Sequence, residues 1–250
     1  MTKPHYPENF YERLTETSLP SAKRIVPFVL SLAPASSVVD VGCGNGSWLR
    51  AFLDAGVPEV FGVDGDWVAV EQLAIPAASF ARRALHEPLA LPRTFDLAVS
   101  LEVAEHLPPE RADGFVADLV RAAPVVLFSA AIPGQGGKHH VNEQWPAWWA
   151  ERFAAHGHVA IDVLRPRFWN DADVKWWYRQ NAVLFANDDA LRRFPALASA
   201  RDAAPRELLP LVHPERFASA VRAGEPGFVK WLKMGRRAIQ RSLRGRAPRR

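Results

Sequence analysis

The sequence predicts a single α/β domain with a doubly wound, mostly parallel sheet, an antiparallel edge and helices on both faces. Short β-branched runs alternate with helix-length amphipathic segments, which is typical of a parallel sheet covered by helices. The run Val125–Ala130 is continuously apolar, as in a strand buried on both faces. The chain has 250 residues, of which 48% are hydrophobic and 23% charged. This composition is that of an ordinary globular protein and excludes a disordered or fibrous chain.

The first helix is predicted at Ser21–Ala33, where apolar residues recur at helical spacing and Ser21 is a candidate N-cap. Strands and helices then alternate, which implies a parallel sheet with helices on both sides. In order, they are a strand at Val38–Val41, a helix at Ser47–Ala55, a strand at Val60–Val63, a helix at Trp67–Leu73, strands at Ser79–Leu85 and Phe95–Leu101, a helix at Pro109–Ala122 and a strand at Val125–Ala130.

The second half of the chain predicts the sheet edge and an appendage. A helix at Glu143–His156 is followed by strands at Val159–Leu164 and Ala182–Ala186, with a short helix or turn at Asp171–Arg179 between them. These two strands predict the antiparallel edge. Prolines divide Asp188–Glu225 into short helical pieces. The predicted organisation is an N-terminal segment or lid at 1–20, a main domain at 21–187 and a basic helical C-terminal extension at 188–250.

Charge is unevenly distributed along the chain. Residues 1–187 contain 16 Lys and Arg against 21 Asp and Glu, whereas residues 188–250 contain 15 against 6. The tail after Glu225 has nine basic and no acidic residues. Its apolar residues share one helical face, which predicts a basic amphipathic helix. These apolar residues are Phe228, Trp231, Leu232, Ile239 and Leu243. Three roles stay open for it: packing on the domain, peripheral contact with a membrane or another anionic partner, and contact with nucleic acid, which is favoured least.

Cysteine content and the N-terminal sequence predict a cytoplasmic protein. The single cysteine, Cys43, forms no intrachain disulfide. The segment Met1–Tyr11 carries charges and two prolines where a signal peptide needs an apolar region. The most apolar stretch, Ala122–Ile132, has the length of a strand, so we expect no transmembrane segment.

A glycine-rich turn follows the first strand, in the segment VVDVGCGNG. Gly42, Gly44 and Gly46 leave bare backbone for a ligand to lie against, at the sheet edge where open α/β folds bind ligands. Their spacing differs from the dinucleotide fingerprint. Asp40 can orient a cationic group, and Asp64, at the end of the second strand, can accept bonds from ribose hydroxyls. The turn therefore favours an adenosyl ligand with an ammonium group over one with a pyrophosphate.

Three segments, VVDVGCGNG, VFGVD and FDLAVSLEVAEHL, resemble class I S-adenosylmethionine-dependent methyltransferases, which have a Rossmann-like fold. The resemblance covers about residues 20–187 and implies S-adenosylmethionine as cofactor. It implies that the three glycines pass under the methionine moiety, that Asp40 places the amine and that Asp64 holds the ribose. Ser100, in the fourth strand, belongs to the implied cofactor set. Many relatives have an acidic residue for the adenine amino group where this chain has Ala84, so the adenine contact is unassigned.

A Glu-x-x-Glu-His segment follows the fourth strand. If it is helical, Glu102, Glu105 and His106 lie on one face, where a divalent cation would relieve carboxylate repulsion. The histidines after the fifth strand, His139 and His140, are candidates for a fourth ligand. The pattern resembles the metal-dependent O-methyltransferases of ubiquinone biosynthesis and of small-RNA 3′ ends, which implies Mg²⁺ or Mn²⁺ at Glu102, Glu105, His106 and His139. Many metal-free relatives carry a similar turn for packing, so the metal stays open.

Methyl transfer to an alcohol needs the acceptor oxygen in line with the sulfonium carbon, and either a base or a metal to activate the hydroxyl. His139 and His140 are the candidate catalytic residues, as base or as ligand, with His106 behind them. A double histidine in a glycine-rich loop is also compatible with a solvated surface turn.

A cluster of aromatic residues suggests the acceptor. Six of the nine tryptophans fall within 33 residues, where flat aromatic faces suit sugar rings or planar natural products; helical spacing equally predicts a core stripe. They are Trp145, Trp148, Trp149, Trp169, Trp176 and Trp177. We expect an O-methyltransferase acting on a hydroxyl of a saccharide or glycosylated small molecule. The alternatives are an RNA terminal 2′-O-methyltransferase and a non-catalytic adaptor acting through its tail.

Overall fold

The computed structural model describes residues 10–224. Within this range, β-branched runs form strands because their side chains pack well on a pleated surface, and seven strands build one sheet. They are β1 Ser37–Val41, β2 Glu59–Asp64, β3 Phe80–Arg82, β4 Leu97–Leu101, β5 Val125–Ser129, β6 His158–Ile161 and β7 Val183–Asn187. Their order across the sheet is β3-β2-β1-β4-β5-β7-β6.

The strand directions confirm the predicted mixed sheet. β1 pairs with β2 and β4, β2 with β3, and β4 with β5, all in parallel. β7 runs antiparallel to both β5 and β6, which forms the predicted antiparallel edge. Because parallel strands end at the same edge, Val41, Asp64, Leu101 and Ser129 bring the following loops together at the carboxyl edge of the sheet.

Helices cover both faces of this sheet, because alternate side chains of a buried strand point to opposite sides. They are α1 Phe10–Leu32, α2 Ser47–Asp54, α3 Ala112–Ala122, α4 Pro146–Ala155, α5 Leu164–Phe168, α6 Trp176–Asn181, α7 Asp188–Arg193 and α8 Pro195–Ala203. A further helix, α9 Pro214–Gly224, belongs to a separate C-terminal unit. One face buries side chains such as Ile25 of α1 and Phe52 of α2. The other buries Phe115 of α3 and Phe153 of α4. The doubly wound α/β prediction is therefore confirmed.

The first helix is longer than predicted. α1 begins at Phe10, so Ser21 is an interior residue and the prediction that it is an N-cap is wrong. The Ser21 hydroxyl donates to the carbonyl of Thr17 and accepts the backbone N–H of Lys175. This serine therefore ties α1 to the segment before α6.

Two other predicted elements differ from the structure. The helix predicted at Trp67–Leu73 is wrong, since this segment contains only a short 3-10 turn at Val70–Gln72. The segment buries a single apolar side chain, Val68, and an isolated short helix needs packing to be stable. The strand predicted at Val159–Leu164 ends earlier, at Ile161.

The chain divides into two compact units, one up to Leu211 and one from Val212 onward. α7 and α8 belong to the first unit, where Leu191 and Leu197 enter the core. The lid at 1–20 and the boundary between 187 and 188 stay predictions, and the basic amphipathic tail lies outside the described residues. Within residues 10–224, the helices are too short or too polar to cross a bilayer.

Asp96 joins the segment before β1 to the segment before β4. Its Oδ2 accepts hydrogen bonds from the backbone N–H groups of Ser36 and Ser37, at 2.9 and 3.1 Å. Burial acts to raise its pKa, but these hydrogen bonds and the nearby Arg193 lower the pKa overall. The ionised carboxylate therefore stabilises the fold.

Replacing this carboxylate tests that contribution. We expect Asp96→Ala to lower the free energy of unfolding by about 2 kcal/mol at pH 7, because charge-assisted hydrogen bonds are lost. The pKa of the Asp96 carboxyl is lower in the folded than in the unfolded protein. Its contribution to the free energy of unfolding is therefore complete above the unfolded pKa of about 3.9 and is lost as the pH falls through the folded pKa. Urea unfolding at pH 7 and at about pH 3 measures the difference. An equal loss at both pH values would contradict the assignment.

Candidate functional site

The glycine turn after β1 has the bare backbone that the sequence predicts. Gly42, Gly44 and Gly46 have φ angles of +88°, +54° and +81°, a left-handed conformation that suits glycine. A Cβ at Gly42 would lie 2.3 Å from Cγ2 of Val103. The turn is therefore packed directly against the loop that follows β4, and a side chain at residue 42 would force the two apart.

Two buried carboxylates lie at this turn. Asp64 accepts the backbone N–H groups of Gly44 and Gly65, at 2.7 and 2.6 Å. Asp40 is 3% exposed; its backbone is paired in the sheet, but its carboxylate has no hydrogen bond or ion pair within residues 10–224. Burial and the neighbouring Asp64 raise the pKa of Asp40 well above its ordinary value, and burial raises that of Asp64. Buried carboxylates of this kind favour a bound cation.

Ser100 supports the turn from the neighbouring strand. It is fully buried in β4, and its hydroxyl donates to the carbonyl of Val41 at 2.9 Å. This bond holds β4 against the residue that begins the glycine turn. Direct contact between Ser100 and a cofactor stays a prediction.

The loop after β4 folds differently from the helix assumed for the Glu-x-x-Glu-His segment. Ala104–His106 forms a short 3-10 turn, and Glu102 before it has a φ of +57°, a strained conformation for a residue other than glycine. Among the described residues, Glu105, His106 and His140 form one group, with one donor atom of each within 4.8 Å of the others. This group includes His140 but neither Glu102 nor His139, so the structure brings together only two members of the predicted ligand set, Glu105 and His106, and the set stays a prediction.

The donor atoms of this group fit a divalent metal ion. Glu105 is fully buried, and within the described part of the chain neither of its carboxylate oxygens has a hydrogen bond of good geometry, although the backbone N–H groups of Glu105 and Ala131 lie near enough to act to lower its pKa. The backbone carbonyl of His139 lies near enough to the ring of His106 to act to raise its pKa, and Nδ1 of His140 lies 2.9 Å from Oε1 of Glu143. Metal-bound histidines usually engage their second ring nitrogen in this way. Each histidine is thus left with one nitrogen for a ligand.

The pKa values are consistent with this chemistry. Burial, together with the charge of Glu102, raises the pKa of Glu105 well above its ordinary value. The side chain of His106 is exposed, but the surrounding protein atoms partly desolvate it and, together with His140, lower its pKa to about 4, so its imidazole is neutral at pH 7 and able to bind a metal. A bound cation would favour the ionised form of Glu105.

Sequence reasoning missed three residues that hold this site. Glu143 accepts the backbone N–H groups of Gly134 and Gly136, at 2.7 and 2.8 Å, in addition to its contact with His140. The oxygens of Glu102 accept hydrogen bonds from the amides of Gln135 and Asn181, at 2.9 and 3.0 Å. The glycines around Gln135 were the available signal, because a turn with positive φ values brings distant side chains together.

The predicted aromatic cluster divides between core and surface. Trp149 is 2% exposed and lies in the core beside Phe128, as the alternative of a core stripe predicts. The other five tryptophans of the cluster are partly exposed. Tyr178 is buried, and the indole N–H of Trp48 donates to its hydroxyl. Arg165 is buried against Asp162 and supports the fold.

A cavity of about 280 Å³ lies elsewhere on the first unit. Its lining includes Glu59 at the start of β2 and Phe95 just before β4. It therefore opens at the amino ends of the strands and is separate from the carboxyl-edge site, where the buried carboxylates and histidines lie.

Comparison with known proteins identifies the class to which this fold and site belong. The model of a methyltransferase-domain family matches residues 16–180. The chain belongs to this family and is a class I S-adenosylmethionine-dependent methyltransferase, as the sequence resemblance implied. A comparison with curated proteins gives no significant sequence match.

Solved structures share the fold at low sequence identity. Magnesium protoporphyrin IX methyltransferase from Synechocystis PCC 6803, with bound SAH, is 17% identical, with a TM-score of 0.52 over 74% of this chain and 90% of that one. An O-methyltransferase family protein from Burkholderia thailandensis is 13% identical, with a TM-score of 0.54 over 71% of this chain and 58% of its own. A Haloferax volcanii methyltransferase in complex with the activator Trm112 is 17% identical, with a TM-score of 0.52 over 72% and 92%.

Two glycines with the same backbone conformation give a matched test of the turn. Gly42 has a φ of +88° and Gly56 one of +91°, but a Cβ at Gly56 meets nothing within 4 Å. We expect Gly42→Ala to lower affinity for S-adenosylhomocysteine more than about 100-fold, because the turn must move away from Val103. Gly56→Ala should cost about 1 kcal/mol of stability and leave binding intact. Calorimetric titration measures both affinities, and equal effects would contradict the role of the turn.

Asp40 gives a second prediction, with opposite effects on stability and binding. A raised folded pKa means that the ionised group destabilises the fold, so Asp40→Asn should raise the melting temperature of the free protein by about 2–4 °C at pH 7. The same change should weaken S-adenosylhomocysteine binding about tenfold or more, because a charge-assisted hydrogen bond is lost. Thermal unfolding with and without the ligand measures both. Asp202→Asn, on exposed α8, is the control and should change neither. Tighter binding by Asp40→Asn would contradict the prediction.

Proposed function

We propose that this methyltransferase acts on a hydroxyl group of a saccharide or glycosylated small molecule, with assistance from a divalent metal ion. The observation that carries the proposal is the group of Glu105, His106 and His140, in which a buried carboxylate without a hydrogen bond of good geometry lies beside two imidazoles. The packing of Gly42 against Val103 joins this group to the glycine turn. Cofactor and activated oxygen thus have neighbouring binding surfaces.

The cofactor end of the site is assigned to the residues around the glycine turn. S-adenosylmethionine, when bound, supplies an electrophilic methyl group on a sulfonium sulfur. Asp40 has the unpaired carboxylate needed to hold the ammonium group, and Asp64 retains lone pairs for the ribose hydroxyls beyond the two backbone N–H groups that it accepts. Gly42, Gly44 and Gly46 keep the backbone open beneath the methionine moiety.

The metal end is assigned to Glu105, His106 and His140. A divalent ion, when bound there, lowers the pKa of an acceptor hydroxyl. Glu102 is held by amides and lies outside this ligand set. His139 is exposed, with a φ of +63°; we assign it as the base that accepts the hydroxyl proton and passes it to solvent.

The acceptor assignment rests on aromatic side chains around the carboxyl edge. Trp176 and Trp177 are partly exposed and begin α6, the helix that ends with Asn181, which contacts Glu102. Flat aromatic faces stack on sugar rings. The net reaction replaces the sulfur–methyl bond by an oxygen–methyl bond and releases one proton.

An acceptor screen tests this function. The full chain is incubated with S-adenosylmethionine and panels of saccharides and glycosylated small molecules, and methyl ethers are detected by mass spectrometry. We expect products only with hydroxyl acceptors, loss of activity with EDTA and recovery with Mg²⁺ or Mn²⁺. Activity unchanged by EDTA would remove the metal from the proposal, and transfer only to nitrogen or carbon would overturn O-methylation.

A short RNA with a free terminal 2′-hydroxyl belongs in the screen, because the basic tail favours an anionic substrate as the second candidate.

Metal binding can be measured without activity. We expect Mn²⁺ to bind to the wild type, followed by electron paramagnetic resonance, and Glu105→Gln to weaken it more than about tenfold, because the only carboxylate in the proposed ligand set loses its charge. Glu143→Gln should weaken it about 10- to 100-fold, because Glu143 orients His140. Glu151→Gln, on the exposed side of α4, is the matched control. S-adenosylhomocysteine binding reports that each variant is folded. Equal Mn²⁺ affinity in Glu105→Gln and wild type would contradict this site.

A further inference from the structure

Gly137, in the loop after β5, packs directly against the imidazole of His140. A Cβ at Gly137 would lie 2.2 Å from Nε2, 2.4 Å from Cε1 and 2.7 Å from Cδ2 of that ring. These distances are far below the roughly 3.5–4.0 Å of ordinary contact between carbon atoms. Only a residue without a side chain therefore fits beside the end of the ring that carries Nε2.

The usual reasons for a glycine do not apply at residue 137. Gly134 and Gly136, in the same loop, have φ angles of +77° and +71°, whereas the φ of Gly137 is not positive, so the left-handed conformation is not what requires glycine here. Gly137 is also exposed rather than packed in the core. The close approach to His140 is the requirement that remains. A substitution at Gly137 should therefore act on the imidazole before it acts on the backbone.

Two other contacts hold the same imidazole. Nδ1 of His140 lies 2.9 Å from Oε1 of Glu143, and two backbone N–H groups of the loop hold Glu143 in turn. The ring of His106 meets that of His140 at a right angle, with the ring centroids 4.8 Å apart. Glu143 thus fixes the ring at Nδ1, and Gly137 limits its movement near Nε2.

We infer that Gly137 is a positioning residue for His140, which keeps the imidazole in the orientation that allows Nε2 to bind a divalent metal ion. The inference rests on the proposed function, because it takes His140 as a metal ligand. Since Nδ1 faces Glu143, Nε2 is the nitrogen left for the ion. A ligand that is already oriented loses less conformational freedom when the metal binds, so its affinity is higher. Gly137 acts through His140 and supplies no ligand atom of its own side chain.

Manganese affinity of the full chain tests this role. We expect Gly137→Ala to weaken Mn²⁺ binding about 10- to 100-fold, as followed by electron paramagnetic resonance, because the ring must move by about 1 Å to reach ordinary contact. Spin-echo modulation at saturating Mn²⁺ should detect imidazole nitrogens from both histidines in the wild type and from one in the variant. Gly114→Ala, on the exposed side of α3, is the matched control, since its Cβ would lie 2.6 Å from Nη1 of Arg111. It should leave Mn²⁺ affinity unchanged.

A double-mutant cycle on the metal-free protein shows whether the effect passes through His140. In the wild type, we expect Gly137→Ala to lower the melting temperature by about 2 °C, because the added methyl group forces the ring against its bond to Glu143. In a His140→Ala background the ring is gone, and the same change should raise the melting temperature by about 2 °C by reducing the entropy of the unfolded chain. Equal shifts in the two backgrounds would mean a general effect on the loop and would overturn the inference.

The outcomes distinguish this inference from the proposed function. Equal Mn²⁺ affinity in the wild type and in Gly137→Ala would overturn the role of Gly137 and leave the proposed metal intact. Absence of Mn²⁺ binding by the wild type would overturn the proposed metal, and this inference with it. Loss of S-adenosylhomocysteine binding in Gly137→Ala would also overturn the inference, because the change would then act on the fold rather than on His140.

Discussion

The contact between Gly42 and Val103 is the constraint on which the candidate site depends. The turn after β1 and the loop after β4 follow neighbouring parallel strands, and only a residue without a side chain allows them to touch at this point. The contact brings the turn assigned to the cofactor next to the loop that carries Glu105 and His106. The bond from Ser100 to the carbonyl of Val41 fixes the same two strands just below. In the proposed function, the cofactor and the acceptor therefore bind at one rigid corner of the sheet.

Buried carboxylates are concentrated at this corner of the sheet. Asp40, Asp64, Glu102 and Glu105 are all held at the carboxyl edge, and burial raises the pKa of each. Asp64 and Glu102 accept N–H donors in hydrogen bonds of good geometry, whereas in the described chain the carboxylates of Asp40 and Glu105 have no hydrogen bond of that quality. Unpaired buried carboxylates are costly for stability. Their presence is understood if two cationic groups, an ammonium and a divalent metal ion, complete the site.

The sequence predicts the sheet and the cofactor turn better than it predicts the catalytic loops. The mostly parallel direction of the strands follows from apolar runs that alternate with helices, and the glycines of the turn require a backbone conformation that other residues rarely adopt. The helix predicted at 67–73 is wrong because the local sequence pattern is helical, whereas the fold buries little of the apolar surface of this segment.

The group of Glu105, His106 and His140 is assembled by contacts between residues that are far apart in sequence. His140, rather than His139, joins Glu105 because the loop after β5 turns through glycines with positive φ and Glu143 holds the imidazole. Spacing along the chain contains no information on which of two adjacent histidines faces inward. Likewise, the position of Glu102 is set by Gln135 and Asn181, which lie 33 and 79 residues away in sequence.

A crystal structure with S-adenosylhomocysteine and Mn²⁺, located by its anomalous scattering, is the most direct measurement. We predict that the ligand ammonium lies at Asp40 and the ribose at Asp64, and that the anomalous map shows a manganese ion bound by Glu105, His106 and His140. A nucleoside bound away from the glycine turn, or manganese held by Glu102 without His140, would contradict it.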